Sequence, residues 1–337
     1  MIEHRAALNT VADINRRFGI GAGDAVLGLS SLSFDLSVYD VFGLLGCGGK
    51  LVLPEPARLR DPGHWLELMQ AHGVTVWNTV PQLLAMLVEH GRDIGPALRV
   101  AMLSGDWIPL GLPARAKVLA NEVTVYGLGG ATEASIWSNW FRVERIEPEW
   151  RSIPYGWPLA NQRFHVLNEA LEPAPEGVPG RLFIAGAGLA RGYWRDPERT
   201  AAKFVTHPRT GERLYETGDH GRYLPDGVIE FLGREDDQVK VRGHRIELGE
   251  IEAVLTAYPA VRAAVAVAWG EPRGERRLAA YVVADDVPAS ASDPAKADDQ
   301  AARLALLLER PAIRKPAAGS NAPAPPANSA ERTIISA

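Results

Sequence analysis

The stretch YETGDHGRYLPDGVIEFLGREDDQVKVRGHRIELGEIE, residues 215–252, marks where one architecture gives way to another. Its first half holds short apolar runs such as GVIEFLG, set off by Gly and Pro, which read as β-strands joined by turns. After Asp236 the texture changes. VKVRG reads as a strand, LGEIEAVLTAY as an amphipathic helix, and VRAAVAVAW and LAAYVVA as two further strands, which together make a small α+β unit. The polar clusters TGD, GRED and KVRG fall at the turns and boundaries of these elements.

Upstream, the β-rich texture reaches back to about Ile153 through RFHVLN and GRLFIAG. Residues 60–130 are different again. Asp61-Pro62 opens a helix running through Gln70, with Asp as cap and Pro in the first turn. VTVWNTV (74–80) reads as a buried strand, Pro81 to His90 as a helix and RVAMLSG (99–105) as a strand. Pro109 to Ala120 then reads as a helix and EVTVYGL (122–128) as a strand. Such alternation specifies a parallel sheet covered by helices. Ligands of these sheets gather at the carboxyl ends of the strands, where SGD (104–106) and GLGGATE (127–133) lie. The expected fold class is α/β: a parallel sheet covered by helices, a β-rich subdomain, and a partial small α+β unit at the C-terminal side.

At 337 residues the chain has room for about two domains, and its 46% hydrophobic and 23% charged residues are ordinary for a globular protein. The net charge of −5 and the absence of a basic block or of basic–aromatic alternation argue against a nucleic-acid partner. No apolar run reaches the roughly 18 residues that cross a bilayer, and the acidic, h-region-free N-terminus is not a signal peptide. A single cysteine, Cys47, precludes an internal disulfide, so a cytoplasmic location is expected. In its apolar run Cys47 reads as a small hydrophobe rather than a catalytic thiol.

Several segments carry chemistry. In SFDLSVYDVFG (33–43), Asp35 is a carboxylate in an apolar run, which is costly unless a cation pairs with it or it caps a helix. YGLGGATEASIW (126–137) puts a Gly-rich turn after a strand, where backbone can approach phosphate, and follows it with the hydroxyl of Thr132 and the carboxylate of Glu133, groups suited to phosphate and Mg²⁺. The segment GRLFIAGAGLARGYWRDPERTAAKF (180–204) reads as structural, its glycines packing strand against loop. A carboxylate such as that of Asp219 in ETGD can accept two hydrogen bonds from a vicinal diol, though alone it reads as an ordinary turn residue. GRED (233–236) and VKVRGHRIELGEIE (239–252) complete the set.

In this order and spacing the motifs resemble those of the adenylate-forming, AMP-binding superfamily, and most closely the adenylation domains of nonribosomal peptide synthetases. The resemblance covers roughly residues 1–285. It implies ATP and Mg²⁺ as cofactors, an amino acid as substrate, and a carrier protein bearing phosphopantetheine as partner, beside other synthetase domains. It places the substrate ammonium on Asp35, phosphate and metal on Thr132 and Glu133 with Gly129 and Gly130 beside the nucleotide, and the ribose on Asp219 and Arg234. Asp236 takes the hinge role, and Lys240 falls on the small-subdomain face that rotates in for thiol transfer. The implied boundaries are 1–235 for the large subdomain, 236–285 for part of the small one, and 286–337 for an Ala/Pro-rich linker or disordered tail with a helix over 297–310. One departure stands out: Gly129 occupies the place where the family usually has an aromatic residue stacked on adenine.

The resemblance also implies a substrate pocket of Asp35, Leu36, Tyr39, Asn78, Met102, Ser104, Leu128, Ile136 and Trp137. Read in order, DLYNMSLIW looks like the family's cysteine-selecting pattern. Tyr39, Leu128, Ile136 and Trp137 would fill volume and leave a small cavity, while Asn78 and Ser104 would offer weak polar contacts to a thiol or to the backbone of the substrate. Two family parts have no counterpart here: the Ser/Thr/Gly-rich loop ending in Lys-Gly, and the catalytic Lys near the C-terminus, for which Lys315 is a poor candidate. The expectation is therefore a chain that by itself binds ligand poorly and adenylates slowly or not at all, with ARLALLLERPAIRK (302–315) as the entry to an inserted domain. The alternatives are an inactive scaffold remnant and an acyl-CoA ligase. Asp35 argues against the latter, whose substrate brings no ammonium.

Overall fold

Alternation along each strand sorts side chains between two faces of one sheet. On β3 (Val76–Thr79) and β4 (Val100–Leu103), Trp77, Ala101 and Leu103 join one apolar cluster, while Val76, Val100 and Met102 join another. The computed structural model describes residues 1–91, 94, 97–234, 238–241, 244–270, 276–284 and 334–336. It divides into two units, Met1–Asp236 and Asp237–Ala337.

The first unit opens with α1 (His4–Phe18), followed by β1 (Ala25–Leu27) and a broken helical passage: α2 (Leu36–Val38), a π-helical turn (Tyr39–Gly43) and α3 (Leu44–Gly46). Then come β2 (Lys50–Val52), α4 (Pro62–His72), β3, α5 (Pro81–His90), β4, α6 (Leu112–Leu119) and β5 (Thr124–Gly129). Strands β2-β1-β3-β4-β5 are parallel, as expected, but β6 (Asn139–Val143) and β7 (Trp157–Pro158) extend the sheet antiparallel. Helices α4, α5 and α6 supply Trp65, Met69, Leu84, Leu87, Leu112 and Ala116 to one face; α1 and the broken passage supply Ile14, Phe18, Leu36, Tyr39 and Leu44 to the other.

Local chemistry sets the boundaries. Asp61 accepts from the Gly63 and His64 N–H groups and so caps α4, which Gly73 closes with φ +59°. The helix expected from Pro109 starts at Leu112 instead. A helix from 109 would need an N–H at position 113 to reach the Pro109 carbonyl, and Pro113 has none.

A second sheet of the same unit is antiparallel: β10 (Phe204–Thr206), β11 (Arg213–Tyr223), β9 (Gly180–Gly186) and β8 (Gln162–Leu167) in that order, with β12 (Ile229–Arg234) on β11. The short helix α7 (Pro197–Lys203) precedes β10. The TGD residues do not form a turn between elements. They lie inside β11, where the register against β9 shifts between Glu216 and His220.

The second unit contains the hairpin of β13 (Gln238–Val241) and β14 (His244–Glu247), then α8 (Leu248–Thr256), β15 (Val261–Gly270) and β16 (Arg276–Ala284). Glu252 on α8 accepts the Ala266 N–H of β15 at 2.9 Å. Within the stretch expected to be a disordered tail, β17 (Ile334–Ser336) pairs with β16. The suggested helix over 297–310 and the entry segment 302–315 lie outside the described residues, as do Asp236 and Gly243. Among the described residues no helix is long and apolar enough to cross a membrane.

Candidate functional site

Asp35 stands at the start of α2, partly buried. Thr132, just past β5 in a turn of 3₁₀-helix (Thr132–Ala134), donates its hydroxyl to Asp35 Oδ2 at 2.5 Å across 97 residues of sequence. The ammonium candidate and the phosphate candidate are thus in contact. Burial pushes the Asp35 carboxyl above the usual carboxylate range, and the negative charge of Glu133 pushes the same way, against the Thr132 hydrogen bond. Two carboxylates thus lie in one partly desolvated corner.

The turn holding Thr132 and Glu133 is tightly constrained. Gly130 has φ +146°, and a Cβ there would come within 2.6 Å of the Ser138 N, so only glycine fits. Ser135 and Ile136 follow with φ +64° and +71°. A β-branched residue in that region is strained by about 1–3 kcal/mol. Its surroundings hold it there: Ser135 Oγ donates to the Gly188 carbonyl at 2.7 Å, and Trp137 Nε1 donates to Ser104 Oγ at 3.0 Å.

The other pocket positions gather where β3, β4 and β5 end. Leu36, Tyr39, Met102, Leu128, Ile136 and Trp137 share one buried cluster, with the Tyr39 and Trp137 rings 5.2 Å apart. Asn78 lies beside Met102 in the β3–β4 register. The polar members are arranged otherwise than expected. Asn78 Nδ2 donates to Asp40 Oδ1 at 2.8 Å and to the Leu36 carbonyl at 3.3 Å, so its N–H groups turn inward. Its Oδ1 is buried without a protein partner, as is Asp40 Oδ2. Ser104 already accepts from Trp137.

Asp40 escaped the sequence reading. It is buried in the π-helical turn, and burial raises its pKa to about 7 despite the Asn78 hydrogen bond. The repeated DxxxxD spacing of residues 35–40 was the available signal. Cys47 is a bystander whose thiol donates to the Leu44 carbonyl at 3.2 Å.

On the other side of the ATE turn, Asp219 of β11 and Arg234 of β12 are opposed in register. Arg234 Nη1 donates to Asp219 Oδ1 at 2.8 Å and to the Thr217 carbonyl at 3.1 Å. Both are well buried, so the pair is oriented and charge-balanced. The space beside Gly129 that the sequence left without an aromatic is filled: Tyr155 packs directly on that glycine. Lys240 belongs to the second unit, on β13 opposite Arg245.

A second residue was missed. Tyr193, in the GLARGYW segment read as structural, donates its hydroxyl to Glu133 Oε1 at 2.8 Å. The Ala190 N–H of the same segment donates to the Glu133 carbonyl at 2.7 Å. The phenol is itself fixed: its backbone N–H donates to Thr200 Oγ1 at 2.9 Å, and Arg199 lies 4.6 Å from the ring centre. Among the described residues no group of three or more His, Cys, Asp or Glu converges to cage a metal. One carboxylate beside a hydroxyl nevertheless suits Mg²⁺, which commonly uses one or two carboxylates together with substrate phosphates.

Comparison with known proteins places the chain in a family. Residues 1–194 match the family described as AMP-binding enzyme. Pyochelin synthetase PchF of Pseudomonas aeruginosa (strain UCBPP-PA14) is 49% identical over 316 residues, which is 92% of this chain and 17% of PchF. The chain therefore spans about a sixth of that relative's length. The crystal structure of the nonribosomal peptide synthetase FmoA3 bound to alpha-methyl-L-serine-AMP superposes with a TM-score of 0.68 at 50% identity, covering 74% of this chain and 28% of that one. The Vibrio cholerae adenylation domain AlmE, in complex with glycyl-adenosine-5'-phosphate, gives a TM-score of 0.73 at 29% identity over 82% of this chain and 52% of AlmE. The fold is that of the adenylate-forming enzymes, and the chain belongs to the AMP-binding enzyme family, among the adenylation domains of nonribosomal peptide synthetases.

Proposed function

We propose that this chain activates an amino acid, with cysteine as the substrate it fits best, for nonribosomal peptide synthesis of the siderophore or thiazoline kind. The substrate carboxylate oxygen attacks the α-phosphorus of ATP. An aminoacyl–AMP anhydride forms and the bond to pyrophosphate breaks. The aminoacyl group then passes to the phosphopantetheine thiol of a carrier protein, releasing AMP.

The observation that carries the reading is the contact between Asp35 and Thr132, with Glu133 alongside. An incoming α-ammonium relieves the carboxyl that burial and Glu133 hold in an unfavourable charge state. The same contact would bring the substrate's carboxylate to the turn where phosphate is expected. Mg²⁺, when bound at Glu133, supplies charge neutralisation at the phosphates. Tyr193 would hold Glu133 in place, while Asp219, oriented by Arg234, would accept from the ribose hydroxyls. Lys240 and the Asp236 hinge would serve the thiol-transfer step as the small subdomain turns.

The character of the lining supports this choice of substrate. Bulky Tyr39, Trp137, Ile136 and Leu128 would fill volume and so favour a short side chain, and Asn78 Oδ1, buried without a protein partner, would suit a short donor such as a thiol or hydroxyl. A relative half identical in sequence holds a serine-type adenylate. Volume distinguishes one methylene by only about 1–3 kcal/mol, so serine and alanine are the competitors to measure. Thermal-shift titration with a non-hydrolysable cysteinyl-adenylate analogue tests the reading. A competent site gains about 2.7 kcal/mol at a hundredfold excess over Kd. No shift in a folded chain refutes it.

A further inference from the structure

Gly129 ends β5 beside the ATE turn, and the ring of Tyr155 lies directly on it. A Cβ at position 129 would come within 2.0 Å of Tyr155 Cε2 and 2.6 Å of Cζ. The two positions therefore have room for one side chain between them. Backbone carries Tyr155 to this place: its N–H donates to the Ile229 carbonyl at 2.8 Å, tying it to β12, the strand that ends in Arg234. The phenol feels the charges of Asp219 and Arg234. Phe164 meets the ring edge-on at 5.7 Å and Phe231 packs at 5.5 Å, with Trp107 4.8 Å beyond Phe231. Behind Gly129, Asn139 is wholly buried, whereas Tyr155 keeps part of its surface exposed.

We propose that Tyr155 is the residue on which the purine base of the adenylate rests, its ring doing from position 155 what a side chain at 129 has no space to do. The inference deepens the adenylation reading and rests on it. If the sugar is held at Asp219 and the phosphates at residues 130–133, the bound nucleotide brackets Tyr155, whose ring lies on Gly129 and whose phenol feels the Asp219 charge. A flat heterocycle leaving water gains most against an aromatic face that is accessible and already immobile. Phe164, Phe231 and the backbone bond to Ile229 immobilise this one.

The test compares Tyr155→Leu, which keeps apolar volume without a ring, Tyr155→Phe, which keeps the ring, and the swap Gly129→Tyr with Tyr155→Gly. Calorimetric titration uses a sulfamoyl analogue of cysteinyl-AMP, and ribose 5-phosphate followed by NMR serves as the base-free control. Tyr155→Leu should bind the analogue about tenfold or more weakly with ribose 5-phosphate unchanged, and Tyr155→Phe should stay within about threefold of wild type. A folded Tyr155→Leu with undiminished affinity, or one that loses both ligands equally, overturns the proposal. If the Leu variant does not fold, the swap decides: recovered binding supports the proposal and a folded swap without it refutes it. Wild type alone supplies an independent check, because adenine H2 or H8 should show nuclear Overhauser contacts to tyrosine ring protons, and their absence in the bound complex overturns the proposal. A wild-type chain that binds no analogue at all fails the adenylation reading instead.

Discussion

Replacing Asp40 by Asn should remove a measurable part of the protein's pH sensitivity. Asp40 is buried, accepts one hydrogen bond from Asn78, and has a second oxygen with no protein partner. Burial raises its pKa from 3.8 to about 7. The folded state therefore binds this proton more tightly than the unfolded chain does. The stability it contributes is fully present below pH 3.8 and is lost as pH rises through about 7. At about 1.4 kcal/mol per pKa unit, the whole effect has a ceiling of about 4 kcal/mol, of which about 2–3 kcal/mol falls between pH 5 and pH 8. In a unit of this size that corresponds to a fall of roughly 5–10 °C in Tm. Asp40→Asn keeps the shape and keeps an acceptor for Asn78 Nδ2. Urea unfolding of both proteins at pH 5 and pH 8 isolates the contribution. The wild type should lose about 2–3 kcal/mol more than the variant over that range. Parallel pH profiles, agreeing within about 0.5 kcal/mol, would refute the argument that Asp40 is a desolvated, incompletely partnered acid.

Tyr193→Phe removes one hydrogen bond to the Glu133 carboxylate, about 1.5–3 kcal/mol for a charged acceptor. Pyrophosphate exchange should slow about tenfold or more and the Mg²⁺ midpoint should rise with little change in Tm, whereas unchanged Mg²⁺ dependence would detach Tyr193 from Glu133. Gly130→Ala forces a side chain into the Ser138 backbone at a φ that alanine rarely adopts. A loss of about 2 kcal/mol or more in denaturant unfolding is expected, and an unaltered midpoint would show that the turn is not built as described. Arg234→Ala leaves the Asp219 carboxylate buried without its guanidinium, which should cost about 3–5 kcal/mol in stability, and a loss below about 1 kcal/mol would mean that the pair is solvated.

The parts of the fold that follow a period were readable before the structure. Val76 to Thr79 and Val100 to Leu103 alternate between two apolar clusters, and Asp61-Pro62 announces a capped helix. What escaped depends on contacts made over long separations. Thr132 reaches Asp35 across 97 residues, and Tyr193 reaches Glu133 across 60. Neither pairing leaves a local pattern, so Tyr193 reads as one aromatic among packing residues. The Gly129 departure looked like a deficit because its compensation sits 26 positions away at Tyr155, on another strand connection. The inward turn of the Asn78 amide was equally hidden, since it depends on Asp40 in a π-helical turn that no simple helical repeat signals. The antiparallel β6 and β7 were missed because hydrophobic periodicity does not encode strand direction.

The most direct test of the site measures what Asp35 does with an amine. The affinities of wild type and Asp35→Ala are compared for two sulfamoyl-adenosine ligands, one carrying the cysteinyl group and the other its des-amino counterpart. Wild type should favour the amine-bearing ligand by about thirtyfold or more, equivalent to about 2 kcal/mol for a partly desolvated ion pair, and Asp35→Ala should lose that preference. If the folded variant discriminates between the two ligands as well as wild type does, the ammonium is held elsewhere, and the contact between Asp35 and Thr132 is structural only.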